Sequence, residues 1–159
     1  MQNRKAFLDM LAVAEGTSIS PATRNDGYDV IVTGIDGRPE IFTDYSTHPF
    51  ERGRASKLIN SRGLTSNASG RYQFMLKDWS HYRRLLNLSD FGPDSQDSWA
   101  IQLIKEHGAL GLIDSGNFDL AVYKVRNLWA SLPGAGYEQP EHSLGALRQV
   151  YLKKGGVVL

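Results

Sequence analysis

Apolar residues recur at helical spacing near the start of the chain, where Phe7, Met10, Leu11 and Ala14 mark one face of the stretch from Asn3 to Thr17. The pattern predicts a short amphipathic helix stopped by Gly16, a residue suited to the left-handed end of a helix. Glu15 then falls in the last turn and projects between Leu11 and Leu8, beside the apolar face rather than opposite it. Partial desolvation and the negative end of the helix dipole both favour its protonated form. A carboxylic acid that keeps its proton near neutral pH is what glycosidic cleavage needs to protonate the leaving oxygen. The position equally suits an exposed glutamate in a fraying turn, the commoner fate of this residue type.

Further along the chain the period changes. Turn formers over Ser18 to Gly27 predict a loop, and the β-prone runs Tyr28–Thr33 and Glu40–Thr43, with Asp36-Gly37 between them, predict one small hairpin sheet. The stretch from Thr47 to Asn67 lacks periodicity and carries Arg52, Arg54, Lys57 and Arg62 against Glu51, which reads as a mobile basic lip or a merely solvated loop. From Ser69 onward the pattern is helical. Tyr72, Met75, Leu76, Trp79, Tyr82 and Leu86 share one face of a long helix, expected to be the central core helix. A second begins after Pro93, turns Trp99, Leu103 and Ile104 inward and closes at Gly108, and a short one follows over Ala109 to Asp114. Phe118, Ala121, Val122, Val125, Leu128 and Trp129 mark another, ended by Pro133–Gly136. His142 or Ser143 opens the last, through Leu144, Leu147 and Tyr151. The class is α+β, mostly helical with one small antiparallel sheet.

At 159 residues and 41% hydrophobic content, the chain can bury one good core, so one compact domain is expected over residues 1–159. Lys and Arg total 18 against 17 Asp and Glu, a balance that argues against a nucleic-acid binder. With no cysteine there is no disulfide or thiol chemistry, and the chain suits reducing and oxidising compartments alike. The apolar run after Arg4 and Lys5 is broken by Asp9, unlike a signal peptide, and no window approaches the ~18 apolar residues of a membrane span. A soluble product of the cytoplasm, without stable membrane association, is expected.

His48, His81, His107 and His142 lie far apart without paired spacing, so no metal site and no cofactor are expected. Gly-x-Ser-x-Gly and phosphate-cradling glycine patterns are missing too. What remains is Glu15 with a polar and aromatic set: Asp29, Asp44, Tyr45, Ser69, Tyr72, Gln73 and Tyr137. Such a set suits sugars, whose rings stack on tyrosines while hydroxyl and N-acetyl groups bond to Gln, Asp and Ser.

These residues sit in a run of blocks that resembles the lambda-phage type of endolysin, a lysozyme-like lytic transglycosylase. Arg4-Lys5-Ala6-Phe7-Leu8-Asp9-Met10-Leu11-Ala12 followed by Glu15-Gly16-Thr17 is similar to that family's catalytic helix, and Gly27–Val32 to its first strand. Further likenesses are Phe42–Ser46 with His48-Pro49, Gly70–Gln73, Ser95-Gln96-Asp97, and Trp129 through Tyr137. Residues 68–75 also resemble, more weakly, a stretch of the wider lytic transglycosylase group. The departures fall in Ser18–Thr23, Gly34–Glu40, the basic stretch and everything after His142.

The resemblance implies one lysozyme-like catalytic domain with the sheet beside an active-site cleft. Glu15 would be the sole catalytic acid, loops 47–66 and 131–142 would form lips over glycan, and Gln73 and Tyr137 would line the cleft. Asp29 and Asp44 are expected to fix loops rather than react. The implied substrate is the peptidoglycan glycan strand, and the implied partner for reaching the periplasmic wall is a phage holin that opens the membrane without direct contact. A monomer is the default. Rival readings are a hydrolysing muramidase using Asp29 or Asp44 as second carboxylate, a wall-binding module without turnover, and, more distantly, a nucleic-acid binder.

Overall fold

The structure is a computed structural model that describes residues 2–136 and 141–159. Ten elements follow in order: α1 (Gln2–Ala14), β1 (Val30–Ile31), β2 (Glu40–Ile41), β3 (Lys57–Leu58), β4 (Thr65–Ser66), α2 (Leu76–Leu85), α3 (Pro93–Glu106), α4 (Leu110–Asp114), α5 (Phe118–Val125) and α6 (Leu144–Lys153). The class is α+β and mostly helical, as the periodicity indicates. The chain packs as two compact units, one of Met1–Glu15 with Ala100–Leu159, the other of Gly16–Trp99.

In the first unit α1 is enclosed on nearly every side. Phe7, Met10, Leu11 and Ala14 are buried as their spacing predicts, but so are Ala6, Leu8, Asp9 and Ala12. From Ala6 to Ala14 nearly every residue is buried, as a core helix requires, and α1, not the helix after Ser69, fills that place. Phe7 meets Phe118 of α5 and Tyr151 of α6 edge-on, with ring centroids 5.9 and 6.4 Å apart. Such a fully buried phenyl ring contributes about 1.5–3 kcal/mol. Arg4 forks onto Asp114 at 2.8 and 2.7 Å, anchoring the start of the helix. Ser143 caps α6, its hydroxyl accepting from the Ala146 N–H at 3.1 Å.

In the second unit β1 and β2 pair antiparallel with Val30 opposite Ile41, and Gly37 turns the hairpin at φ +70°. The expectation of one sheet is corrected by a second antiparallel pair, β3 with β4, inside the stretch read as an irregular lip. Its turn is built by Asn60, whose side-chain oxygen accepts from the N–H groups of Arg62 and Leu64 at 2.9 and 3.1 Å. Three of its cations are engaged: Lys57 and Arg54 both pair with Glu40, and Arg52 with Asp44 at 3.3 Å.

The long helix expected from Ser69 is also corrected. Gly70 and Gln73 both take positive φ, +83° and +56°, which no helix accommodates. Ser69 and Phe74 instead exchange backbone hydrogen bonds at 3.0 and 2.8 Å across a tight turn, and α2 begins only at Leu76. Only Trp79 of α2 is buried. Around it Phe74 stacks on Trp99 with centroids 4.0 Å apart, and Phe91 meets Trp79 edge-on. His48 is enclosed in the same unit and donates from Nε2 to the Phe74 carbonyl at 2.8 Å, a structural role.

Candidate active site

Glu15 is set by the end of α1. Its N–H still donates to the Leu11 carbonyl at 2.8 Å, continuing the helical ladder, and Gly16 at φ +78° then turns the backbone away. The side chain is therefore held by the helix yet stands at its tip. Burial pushes the Glu15 carboxyl above its ordinary value, and a hydrogen bond donated by the Ser131 hydroxyl to Oε2 pulls partly the other way. Among the described residues no charged side chain contributes to that balance. Glu15 is thus a solitary acid with a neutral partner.

Two further bonds surround this pair. The His142 N–H donates to the Ser131 carbonyl at 2.9 Å, and His142 Nε2 donates to the Ala14 carbonyl at 3.0 Å. The Ala14 carbonyl is one of those a helix end leaves without an internal partner. Both ends of the segment 131–142 are in this way fastened to the end of α1. Glu141 accepts from the N–H groups of Gly134 and Gly136 at 3.1 and 3.3 Å.

In the second unit the anticipated sugar-binding residues divide into enclosed and accessible. Tyr72 and Ser69 are wholly buried. Their hydroxyls are engaged within the fold: Tyr72 donates to Asp97 at 2.6 Å and Ser69 to the Asn67 carbonyl at 3.0 Å. Asp29 is buried as well, and accepts from the Thr23 hydroxyl and the Arg24 N–H at 2.6 and 2.9 Å, which fixes the loop between α1 and β1. Gln73 stays partly open, with Nε2 donating to the Gly70 carbonyl at 2.9 Å.

Asp44 is exposed, accepts from the Ser46 N–H at 2.9 Å, and is held below the usual carboxylate range by its Ser46 bonds and by Arg52. Tyr45 lies against Phe42, and its hydroxyl accepts from Asn25 at 2.9 Å. A cavity of about 330 Å³ opens beside Asp44, lined also by Phe42, His48, Arg52 and Arg54. Tyr137 lies outside the described residues. No group of three His, Cys, Asp or Glu side chains able to hold a metal ion occurs among the described residues.

A solitary, partly enclosed glutamate at a helix tip, in a mostly helical fold with minimal sheet, can now be set beside known proteins. The profile of the Endolysin family matches residues 5–158. The chain belongs to the Endolysin family. It is 61% identical to the endolysin of Escherichia phage P2 over 156 residues, covering 98% of this chain and 94% of that protein. It is 50% identical to the endolysin of Escherichia phage lambda, covering 98% and 92%. The structure of bacteriophage lambda lysozyme complexed with a chitohexasaccharide superposes with a TM-score of 0.90 at 49% identity, covering 100% of this chain and 97% of that one. The fold of this endolysin is therefore lysozyme-like.

Sequence reasoning did not find Ser131 or the ring of His142 in this endolysin. Ser131 lies 116 residues from Glu15, and no periodicity connects them. The one available signal was the resemblance that set the whole segment 131–142 apart as a lip. Gln96 and Asp97, which support the Gly70–Gln73 turn, stand in the sequence only as part of a helix start and of that likeness.

Proposed function

We propose that this endolysin cleaves the β-1,4 bond between N-acetylmuramic acid and N-acetylglucosamine in peptidoglycan by lytic transglycosylation, with Glu15 as its acid and base. The observation that carries the reading is the state of Glu15: burial favours its protonated form, and its hydrogen-bond partner is a neutral hydroxyl. Glu15 donates its proton to the bridging oxygen as the bond from that oxygen to C1 breaks. The resulting carboxylate then takes the proton of the sugar's own C6 hydroxyl while O6 bonds to C1. The products are a 1,6-anhydromuramyl end and a free 4-hydroxyl, and Glu15 regains its proton. An intramolecular nucleophile needs no second carboxylate to hold water or form an ester, unlike the usual paired-acid glycosidases.

The relatives support a glycan substrate: two are phage endolysins, and the lambda lysozyme of like fold was complexed with a chitohexasaccharide. Of the sugar-binding candidates, Gln73, Asp44 and Tyr45 keep accessible atoms, and Tyr137 is retained with them. Among the described residues no helix is long and apolar enough to cross a membrane. Access to the periplasmic wall is assigned to a separate holin, without direct contact, and the enzyme acts as a monomer.

The test is digestion of purified wall by wild type and Glu15→Gln. General acid–base groups are worth about 10²- to 10⁴-fold in rate, so the variant should lose essentially all lysis with its circular dichroism unaltered. Mass spectrometry should find fragments one water lighter than reducing ends. Reducing ends instead would make the enzyme a hydrolysing muramidase, and undiminished lysis by Glu15→Gln would remove Glu15 from the chemistry.

A further inference from the structure

The Ser131 hydroxyl bonds to one oxygen of Glu15 and leaves the other unclaimed by any described donor. We propose that Ser131 is a positioning residue that fixes which carboxyl oxygen of Glu15 carries the transferable proton, an inference that rests on Glu15 acting as the acid. A hydroxyl that donates to Oε2 makes that atom the carbonyl oxygen of the neutral acid, so the proton resides on Oε1. After transfer the same bond, unbroken, stabilises the carboxylate through Oε2, and Oε1 is free to accept the returning proton. Ser131 therefore serves both halves of the cycle without turning, which is the economy of a pre-oriented donor.

The geometry around Ser131 fits this role. Its carbonyl accepts from the His142 N–H at 2.9 Å, and the His142 ring is fastened to the Ala14 carbonyl, one residue before Glu15, at 3.0 Å. Backbone and hydroxyl of Ser131 are thus both tied to the end of α1. Among the described residues of the facing segment the other titratable groups are occupied: His142 with Ala14, and Glu141 with the Gly134 and Gly136 N–H groups. The balance between burial and this single hydroxyl is what sets the proton affinity of Glu15.

The experiment compares wild type with Ser131→Ala, Ser131→Thr and Glu15→Gln in the full chain. One readout is carbon-detected NMR titration of the Glu15 carboxyl, the other the pH profile of wall lysis. In Ser131→Ala the carboxyl midpoint should rise, and the alkaline limb of lysis should rise with it. Its plateau should fall roughly tenfold, the order expected for one lost bond to a charged group. Ser131→Thr, which keeps the hydroxyl, should restore both. An unaltered Glu15 titration in Ser131→Ala overturns the assignment of Ser131 while leaving Glu15→Gln to judge the acid on its own. A shifted titration with an unmoved lysis profile overturns Glu15 as the acid, and the role of Ser131 with it.

Discussion

The hydroxyl of Tyr72 donates to Oδ1 of Asp97 at 2.6 Å, and Tyr28 donates to the same oxygen at 2.8 Å. Burial, then the Asp97 charge, pushes the Tyr28 hydroxyl up to about 12, and the same causes raise Tyr72. The unfolded chain loses these protons near 10, so between pH 10 and about 12 the folded state binds more of them. Stability is then whole below pH 10 and declines through that window. Urea unfolding should show a fall to which Tyr28 contributes on the order of 1–2 kcal/mol, allowing for its partial exposure, and Tyr72 adds to it. Tyr28→Phe should lessen the decline, leaving the share of Tyr72, and an equal slope in that variant would contradict the assignment.

The carboxyl of Glu15 carries a second consequence. Its folded proton affinity is raised above the ordinary 4.5 by burial. Its contribution is complete below that value and is lost as pH rises through the folded one, so the ionised side chain weakens the fold at neutral pH. Glu15→Gln should therefore melt higher than wild type at pH 7, by the order of 2–4 °C if about 1 kcal/mol is recovered. Below pH 4 the gain should vanish. Calorimetry at the two pH values checks the sign, and an inactive variant that is also more stable would fit a site selected for chemistry over stability.

Gly70 should not tolerate a side chain. Its φ is +83°, and an added Cβ would collide with Oε1 of Gln96. Gln96 cannot step aside cheaply: it is fully buried, accepts from the Arg71 N–H at 2.8 Å, and donates to the carbonyls of Phe91 and Tyr28 at 2.8 and 3.1 Å. Gly70→Ala should lose about 3 kcal/mol, combining left-handed strain with the collision. Chemical denaturation measures it, and a loss below about 1 kcal/mol would mean that the Gln96 bonds yield readily.

Much of the fold was legible because period and punctuation agreed. The apolar spacing of Phe7, Met10, Leu11 and Ala14, the Asp36-Gly37 turn, the left-handed Gly108 after α3 and the Ser143 cap each lie where the pattern put them. The β3–β4 hairpin escaped because two-residue strands such as Lys57–Leu58 carry no alternation to read. The turn at Ser69–Phe74 escaped for the opposite reason: Tyr72, Met75, Leu76 and Trp79 mimic a helical face across it. The positive φ of Gln73 is imposed by pairing between Ser69 and Phe74, not by residue type. Of the candidate site, the nature of Glu15 could be argued from its neighbours on one helix. Its bond to Ser131 is a product of tertiary packing, which no local pattern encodes.

The His142 N–H meets the Ser131 carbonyl at 2.9 Å, so residues eleven apart in sequence are pinned side by side next to Glu15. Insertions between two points pinned in this way cost little, since closure entropy grows by only ~0.6 kcal/mol for each doubling of a loop's length. Deliberate grafting between these two anchors should therefore leave Glu15 with its Ser131 and His142 neighbours.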